Sequence, residues 1–141
     1  MVRIIVRGGE KLKYNGIDVS KWQGRIDWPL VKSVGVQFAM IRSSFGWGRD
    51  NKDLLFETNY ENATKVGIPV GAYHYSYART PAEAIKEAEF CHSVIKGKTF
   101  EYPVYLDFES GRIWEDQPAY AKNSKLAAEV CYAFMDTMRD A

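Results

Sequence analysis

The sequence predicts an α/β protein in which a parallel sheet is covered by helices. Short apolar runs alternate four times with longer segments of helical periodicity. The strand-like runs are apolar on both faces, as in a parallel sheet that is buried on both sides. Polar side chains follow these runs, where the active sites of such sheets lie. We therefore expect a β/α barrel-like (TIM-type) fold that is incomplete, with about four βα units.

The first half of the chain supplies two of these units. Residues 1–14 are expected to be an N-terminal extension, and the domain at residues 15–141 begins with the turn signal Asn15-Gly16. Asp27 can cap a helix that has a proline in its first turn and a glycine after its last residue. The predicted segments are a strand at 17–20, a helix at 28–34 and a strand at 36–42.

The second half repeats the pattern with longer helices. Thr80 and Glu83 have the spacing of a capping box at a helix start. The charges of Glu83, Lys86 and Glu87 indicate a solvated face on that helix. The predicted segments are a Gly- and Ser-rich loop at 43–53, a helix at 53–66, a strand at 68–75, a helix at 81–95, a buried strand at 102–110 and a last helix at 119–139.

Composition narrows the class of protein. A chain of 141 residues fits one domain, and its net charge of +1 without a basic stripe indicates no nucleic-acid partner. Neither a membrane span nor the continuous apolar stretch of a signal peptide is present. Cys91 and Cys131 are too few for a disulfide framework and lack metal-site spacing, so we expect buried free thiols.

Two acids, Asp107 and Glu109, stand at the end of the fourth predicted strand. Strand alternation points both side chains the same way, with Cα atoms roughly 6.5 Å apart. Such acids are costly unless they are hydrogen-bonded or used. Glycoside hydrolysis needs a protonated carboxyl beside an ionised one, and we expect burial near Tyr75, Phe108 or Trp114 to keep Glu109 protonated. The alternatives are a salt bridge for Glu109 and a loop cap for Asp107.

The order and spacing of six motifs resemble glycoside hydrolase family 25, the lysozymes (N-acetylmuramidases) of phage endolysins and bacterial autolysins. The resemblance covers roughly residues 15–135. The motifs are GIDVSKWQG at 16–24, DW at 27–28, FAMIR at 38–42, the F-x-x-N-x-x-x-A-x-x-x-G pattern at 56–67, GAYHY at 71–75 and PVYLDFE at 103–109.

The resemblance implies an irregular β/α barrel that cleaves the β-1,4 bond between N-acetylmuramic acid and N-acetylglucosamine in peptidoglycan. It implies Glu109 as the general acid, Asp107 as the residue that steers the substrate's acetamido group or a water, and Asp18 as a third site acid. It implies no metal and no cofactor. The family domain is usually longer, so residues 15–141 are expected to be a partial, C-terminally truncated catalytic domain.

Further side chains are candidates for substrate binding. Tyr73 and Tyr75 share a strand face opposite His74, which is expected to be a hydrogen-bonded structural residue. Arg42 either holds a substrate carboxylate or pairs structurally with Asp18 or Asp107. The motif match places Tyr75 in the sugar site, and loop tryptophans suit sugar stacking or a lid on the core. The expected substrate-binding residues are Tyr75, Trp22, Arg42, Tyr73 and Trp47.

The leading hypothesis is a peptidoglycan hydrolase acting on the bacterial cell wall, outside the producing cell or after release from a host. Its partners are peptidoglycan glycan strands, with neither nucleic acid nor membrane. The alternatives are an inactive or glycan-binding piece of such a domain and a fragment that self-associates as a homodimer through an open sheet edge after the fourth strand. The spacing of the acids leaves a retaining or an inverting outcome open.

Overall fold

The computed structural model describes residues 14–109 and 124–141, so the predicted extension lies almost entirely outside the described residues, as does Trp114. The described residues alternate strands and helices in the predicted order. The elements are β1 (Gly16–Val19), a 3-10 turn (Lys21–Gln23), α1 (Trp28–Ser33), β2 (Phe38–Phe45), a 3-10 turn (Arg49–Asn51), α2 (Phe56–Lys65), β3 (Val70–Tyr75), α3 (Pro81–Ile95), β4 (Val104–Asp107) and α4 (Ser124–Asp140).

The four described strands form one parallel sheet in the order β1-β2-β3-β4. Strand β1 pairs with β2 from Gly16 opposite Phe38 to Val19 opposite Ile41. The spatial order follows the chain order, as in β/α barrels, whereas a doubly wound sheet reverses direction at a switch point. The predicted α/β class with parallel, helix-connected strands is confirmed.

The described residues divide into two compact units. The first unit comprises residues 14–42, 53–73 and 99–104. The second unit comprises residues 43–52, 74–98, 105–109 and 124–141.

Close strand packing in the first unit depends on two glycines of the recognised motifs. A Cβ built on Gly16 would lie 2.1 Å from the ring of Phe38, and one on Gly71 would lie 2.6 Å from Met40 Cε. Both distances are below van der Waals contact, so any other residue would force a shift in the core. Phe38 also packs against Tyr102, with ring centroids 5.0 Å apart.

Helices α3 and α4 pack against each other in the second unit. Helix α4 buries Val130 and Phe134, one turn apart. Helix α3 buries a stripe at i, i+3, i+4 and i+7 that consists of Ala84, Glu87, Ala88 and Cys91. The predicted solvated face at Glu87 is therefore wrong, since this side chain is 2% exposed.

The start of α3 follows the predicted capping chemistry with one change. Thr80 Oγ1 accepts a hydrogen bond from the Glu83 amide at 3.2 Å, as expected. The Glu83 carboxylate reaches back to the amide of Arg79 rather than to that of Thr80, at 2.6 Å. The first bond satisfies an amide of the first helical turn, and the second satisfies the amide of the residue before the N-cap.

Strand β4 differs most from its prediction. It spans four residues, and Tyr105 on it is 48% exposed. The predicted buried strand is therefore wrong in both length and burial. Strand β4 stands last in the sheet order, so within the described chain it has one strand neighbour, β3. Among the helices at residues 14–109 and 124–141, none is both long and apolar enough to span a bilayer.

Candidate active site

The ends of β3 and β4 bring three predicted site residues together in the second unit. The amide of Ser76 donates to the carbonyl of Asp107 at 2.9 Å, which fixes the two strand ends beside each other. The hydroxyl of Tyr75 donates to Glu109 Oε2 at 3.4 Å. Tyr75, Asp107 and Glu109 are named the acid cluster below.

Both acids of this cluster affect the pKa of Tyr75. Burial raises the pKa of Tyr75, and the negative charges of Glu109 and Asp107 raise this pKa further. A phenolate at this position would face two carboxylates, so the ring keeps its proton. Tyr75 is therefore a hydrogen-bond donor toward carboxylate oxygen at neutral pH.

The two carboxylates of the cluster differ in exposure. Asp107 is half-buried, whereas Glu109 is exposed. The expected burial of Glu109 is therefore wrong. Strand β4 ends at Asp107, so Glu109 lies past the last paired residue of the strand.

Aromatic rings extend outward from the acid cluster. The rings of Tyr75 and Tyr77 meet edge to face with centroids 5.4 Å apart, and Phe45 stands 5.9 Å from Tyr77. Trp47 is 39% exposed, and Lys86 Nζ lies over its ring at 4.3 Å from the centroid. One face of the Trp47 ring is thus covered by a cation.

In the first unit, Arg42 forms an ion pair with Asp53. A structural ion pair was one of the two predicted roles of Arg42, but Asp53 was not the predicted partner. The Nη2 and Nε atoms of Arg42 lie 2.7 Å and 2.8 Å from Asp53 Oδ2. Asp53 also accepts hydrogen bonds from the amides of Lys21 and Leu55, each at 3.0 Å. The expected partners of Arg42 are Asp18 or Asp107, and the sequence predicts only the start of a helix at Asp53. Substrate binding by Arg42 stays a prediction.

The other predicted residues of the first unit occupy separate positions. Asp18 lies on β1 opposite Met40 and is exposed. Trp22 is 76% exposed on the 3-10 turn whose start is closed by a Ser20–Gln23 capping box. Tyr73 is half-buried on β3. Asp18, Trp22, Tyr73 and Arg42 thus belong to the first unit, and Tyr75, Trp47, Asp107 and Glu109 belong to the second.

A groove of about 860 Å³ in the first unit lies between the start of α1 and one face of α2. None of the predicted site residues is among the residues that line it. The groove and the acid cluster are therefore lined by different residues.

Buried polar side chains pack beside the acid cluster in the second unit, and Glu87 among them was not predicted from the sequence. His74 is fully buried and hydrogen-bonded to Ser44 and Glu87, which confirms its expected structural character. Glu87 was missed because its charge was taken as a sign of exposure. The helical spacing of the sequence indicates the burial of Glu87, because Glu87 falls in register with the buried stripe of α3.

Comparison with known proteins decides the family. The family profile described as "Glycosyl hydrolases family 25" matches residues 17–141. The chain belongs to glycosyl hydrolase family 25. The resemblance inferred from the motifs is thereby confirmed.

This family 25 chain is similar to proteins named as lysozymes. It is 51% identical to Lysozyme M1 of Streptomyces globisporus over 61 residues, which are 43% of this chain and 20% of that protein. It is 31% identical to an autolytic lysozyme of Clostridium acetobutylicum over 94 residues, 67% of this chain and 28% of that protein.

The fold agrees with a solved member of the family. The structure of a bacterial lysozyme from Streptomyces coelicolor matches with a TM-score of 0.73 and 31% identity, over 90% of this chain and 58% of that one. The chain therefore spans 28% or less of the two curated relatives and 58% of the solved chain.

Proposed function

We propose that this chain is part of the catalytic domain of a peptidoglycan-cleaving lysozyme. The proposed bond is the β-1,4 linkage between N-acetylmuramic acid and N-acetylglucosamine, and the proposed place of action is the bacterial cell wall. The observation that carries the proposal is the acid cluster, in which the Tyr75 hydroxyl donates to Glu109 and also experiences the charge of Asp107, at adjacent strand ends. Family membership and the lysozymes among its relatives support it.

In the proposed mechanism Glu109 protonates the glycosidic oxygen. Negative charge then develops on the Glu109 carboxylate, and the Tyr75 hydroxyl donates a hydrogen bond to it at 3.4 Å in the free protein. Donors aimed at developing charge stabilise a transition state more than a ground state. Tyr75 is suited to this role because its raised pKa keeps it protonated.

Asp107 is the proposed partner acid. Its carbonyl is fixed by Ser76, so its side chain starts from a rigid point at the end of β4. From there it steers the acetamido group of the substrate or a water molecule. A role for Asp18, on the first strand, as a third site acid stays a prediction. The rings of Tyr75, Tyr77 and Trp47 are proposed to pack on sugar C–H faces.

The direct test compares wild-type protein with Glu109→Gln in the release of reducing ends from purified bacterial cell walls. Loss of a general acid lowers the rate by roughly 10²–10⁴-fold. The matched control is Glu89→Gln, the same isosteric change at an exposed glutamate on α3, which we expect to act like wild type. Equal release by wild type and Glu109→Gln would refute the role of Glu109.

A second candidate, glycan binding without cleavage, draws on the exposure of Glu109. A general acid must hold its proton at the working pH, and an exposed carboxyl lacks the burial that favours the neutral form. Sedimentation of the protein with insoluble walls, without release of reducing ends from wild type, would favour this candidate.

Self-association through β4 is the remaining candidate. It draws on the place of β4 at the end of the described sheet and on exposed Tyr105. A discrete dimer in light scattering that Tyr105→Lys converts to monomer would favour it.

A further inference from the structure

A buried network of polar side chains lies behind the acid cluster in the second unit. Its centre is Glu87 on α3, whose carboxylate is 2% exposed. Burial of a carboxylate is costly unless several donors satisfy it. The hydrogen-bond donors around Glu87 therefore indicate which segment of the chain its buried carboxylate holds in place.

Those donors come from the end of β3 and the residues that follow it. Glu87 Oε2 accepts from the Ser76 hydroxyl at 2.6 Å, and Oε1 accepts from the amide of Tyr77 at 2.8 Å. His74 Nε2 lies 3.3 Å from the same Oε2 atom. Glu87 thus contacts both sequence neighbours of Tyr75 and the residue after them.

The second nitrogen of His74 extends the network to β2. Nδ1 lies 2.8 Å from the hydroxyl of Ser44. Nε2 faces the Glu87 carboxylate and Nδ1 faces the Ser44 hydroxyl, so both ring nitrogens have a polar partner. The ring also stacks on Phe134 of α4, with centroids 5.3 Å apart and planes 27° apart. These contacts at both nitrogens and on one ring face fix the orientation of the His74 ring.

The network fixes the backbone on both sides of Tyr75. The side chains of His74 and Ser76 point to the buried network, and alternation along the strand sends the Tyr75 ring to the opposite face, where it meets Glu109. The carbonyl of Tyr75 accepts from the amide of Gly46 at 3.0 Å, and the amide of Ser76 donates to the carbonyl of Asp107 at 2.9 Å. The strand bonds fix the main chain of Tyr75 and Ser76, and Glu87 holds the same segment through the Ser76 hydroxyl and the Tyr77 amide.

We propose that Glu87 is a positioning residue for the acid cluster, acting through His74 and Ser76 on the direction of Tyr75 and on the end of β4. This inference rests on the proposed function only for its effect on catalysis. A residue that merely filled the core would gain nothing from a charge, because the neighbouring stripe positions are the small apolar side chains of Ala84, Ala88 and Cys91.

The test compares Glu87→Gln with Cys91→Ala. Both sites lie on the buried stripe of α3 one turn apart, and Cys91 contacts the hydroxyls of Ser43, 3.7 Å away, and Ser44, so its loss leaves the bonds of Glu87 to Ser76 and Tyr77 in place. We expect both variants to lower the unfolding midpoint. Only Glu87→Gln should shift the NMR signals of the Tyr75 ring and the Glu109 carboxyl carbon.

Kinetics on purified cell walls give the second measurement. A misplacement of about 1 Å at a catalytic group lowers the rate up to roughly 10²-fold. We expect kcat of Glu87→Gln to fall by about 10-fold or more with little change in KM, because an interaction that matters in the transition state lowers kcat. Cys91→Ala should keep the wild-type kcat.

The two measurements separate the inference from the proposed function. If wild type releases no reducing ends while Glu87→Gln still moves the Tyr75 and Glu109 signals, the proposed function fails and the positioning stands. If both variants lose stability and leave those signals in place, Glu87 is only a core residue. Should Glu87→Gln not fold, Ser76→Ala removes a single link of the network and is expected to move the same signals. Unmoved signals in Ser76→Ala would overturn the inference.

Discussion

The buried pair of Arg42 and Asp53 permits a prediction of stability. Asp53 is 1% exposed and binds the Arg42 guanidinium through contacts of 2.7 Å and 2.8 Å, together with two backbone amides. Asp53→Ala leaves a buried guanidinium without its carboxylate and orphans the amides of Lys21 and Leu55. Breaking one partner of a buried pair costs about 3–5 kcal/mol. The total stability of a domain is about 5–15 kcal/mol, so the variant should be folded but close to its limit.

Urea unfolding followed by circular dichroism measures this loss. With a slope of about 2 kcal/mol per molar urea, a loss of about 4 kcal/mol lowers the midpoint by roughly 2 M. Asp50→Ala is the matched control, because Asp50 is exposed on the neighbouring 3-10 turn and its loss should change the free energy of unfolding by less than about 0.5 kcal/mol.

A double variant tests the physical reason for the loss. Arg42→Met/Asp53→Leu removes both charges of this pair together, and apolar replacement of a buried pair is often neutral. We expect it to recover most of the stability that Asp53→Ala loses. A midpoint for Asp53→Ala within experimental error of that for Asp50→Ala would refute the reasoning, since it would mean that water or another group replaces the carboxylate without cost.

Two further predictions follow from the titratable groups of the chain. The pKa of Tyr75 in an ultraviolet titration should lie above its ordinary value of 10.0, and Glu109→Gln should lower the pKa of Tyr75 by removing one of the charges that raise it. Because the folded pKa exceeds the unfolded one, the contribution of Tyr75 to stability is complete below pH 10 and is lost as pH rises through the folded value. An unchanged pKa of Tyr75 in Glu109→Gln would contradict the contact between the two side chains. Burial raises the pKa of both thiols, but Cys91 is buried whereas Cys131 is half-buried. A thiol reagent should therefore label Cys131 in the native protein and Cys91 only on unfolding. Equal labelling rates of the two thiols would contradict the packing of α3.

Much of the fold was predictable because hydrophobic period and turn residues act locally. The alternation of apolar runs with helical segments identified the parallel sheet, and Thr80 marked the start of α3. Strand β4 was mispredicted because an apolar run gives no information about what covers it. Tyr105 is exposed since burial depends on neighbours brought from elsewhere in the chain.

The candidate site was predictable to the extent that it lies at strand ends. Tyr75, Asp107 and Glu109 follow apolar runs, and the structure joins them. The partners that hold the site were not predictable in the same way. Asp53 reaches the amide of Lys21 across 32 positions, and Glu87 reaches Ser76 across 11. Neither spacing corresponds to a local motif.

The two missed acids solve the same physical problem, one in each unit. After a parallel strand ends, its next backbone amides no longer have a sheet partner, and a buried amide without an acceptor is costly. Asp53 accepts from Lys21, just past β1, and Glu87 accepts from Tyr77, just past β3. An apolar side chain at either place would exclude water without supplying an acceptor. Each unit therefore places a buried carboxylate beside the segment that follows a strand, where it supplies the acceptor that the sheet no longer provides.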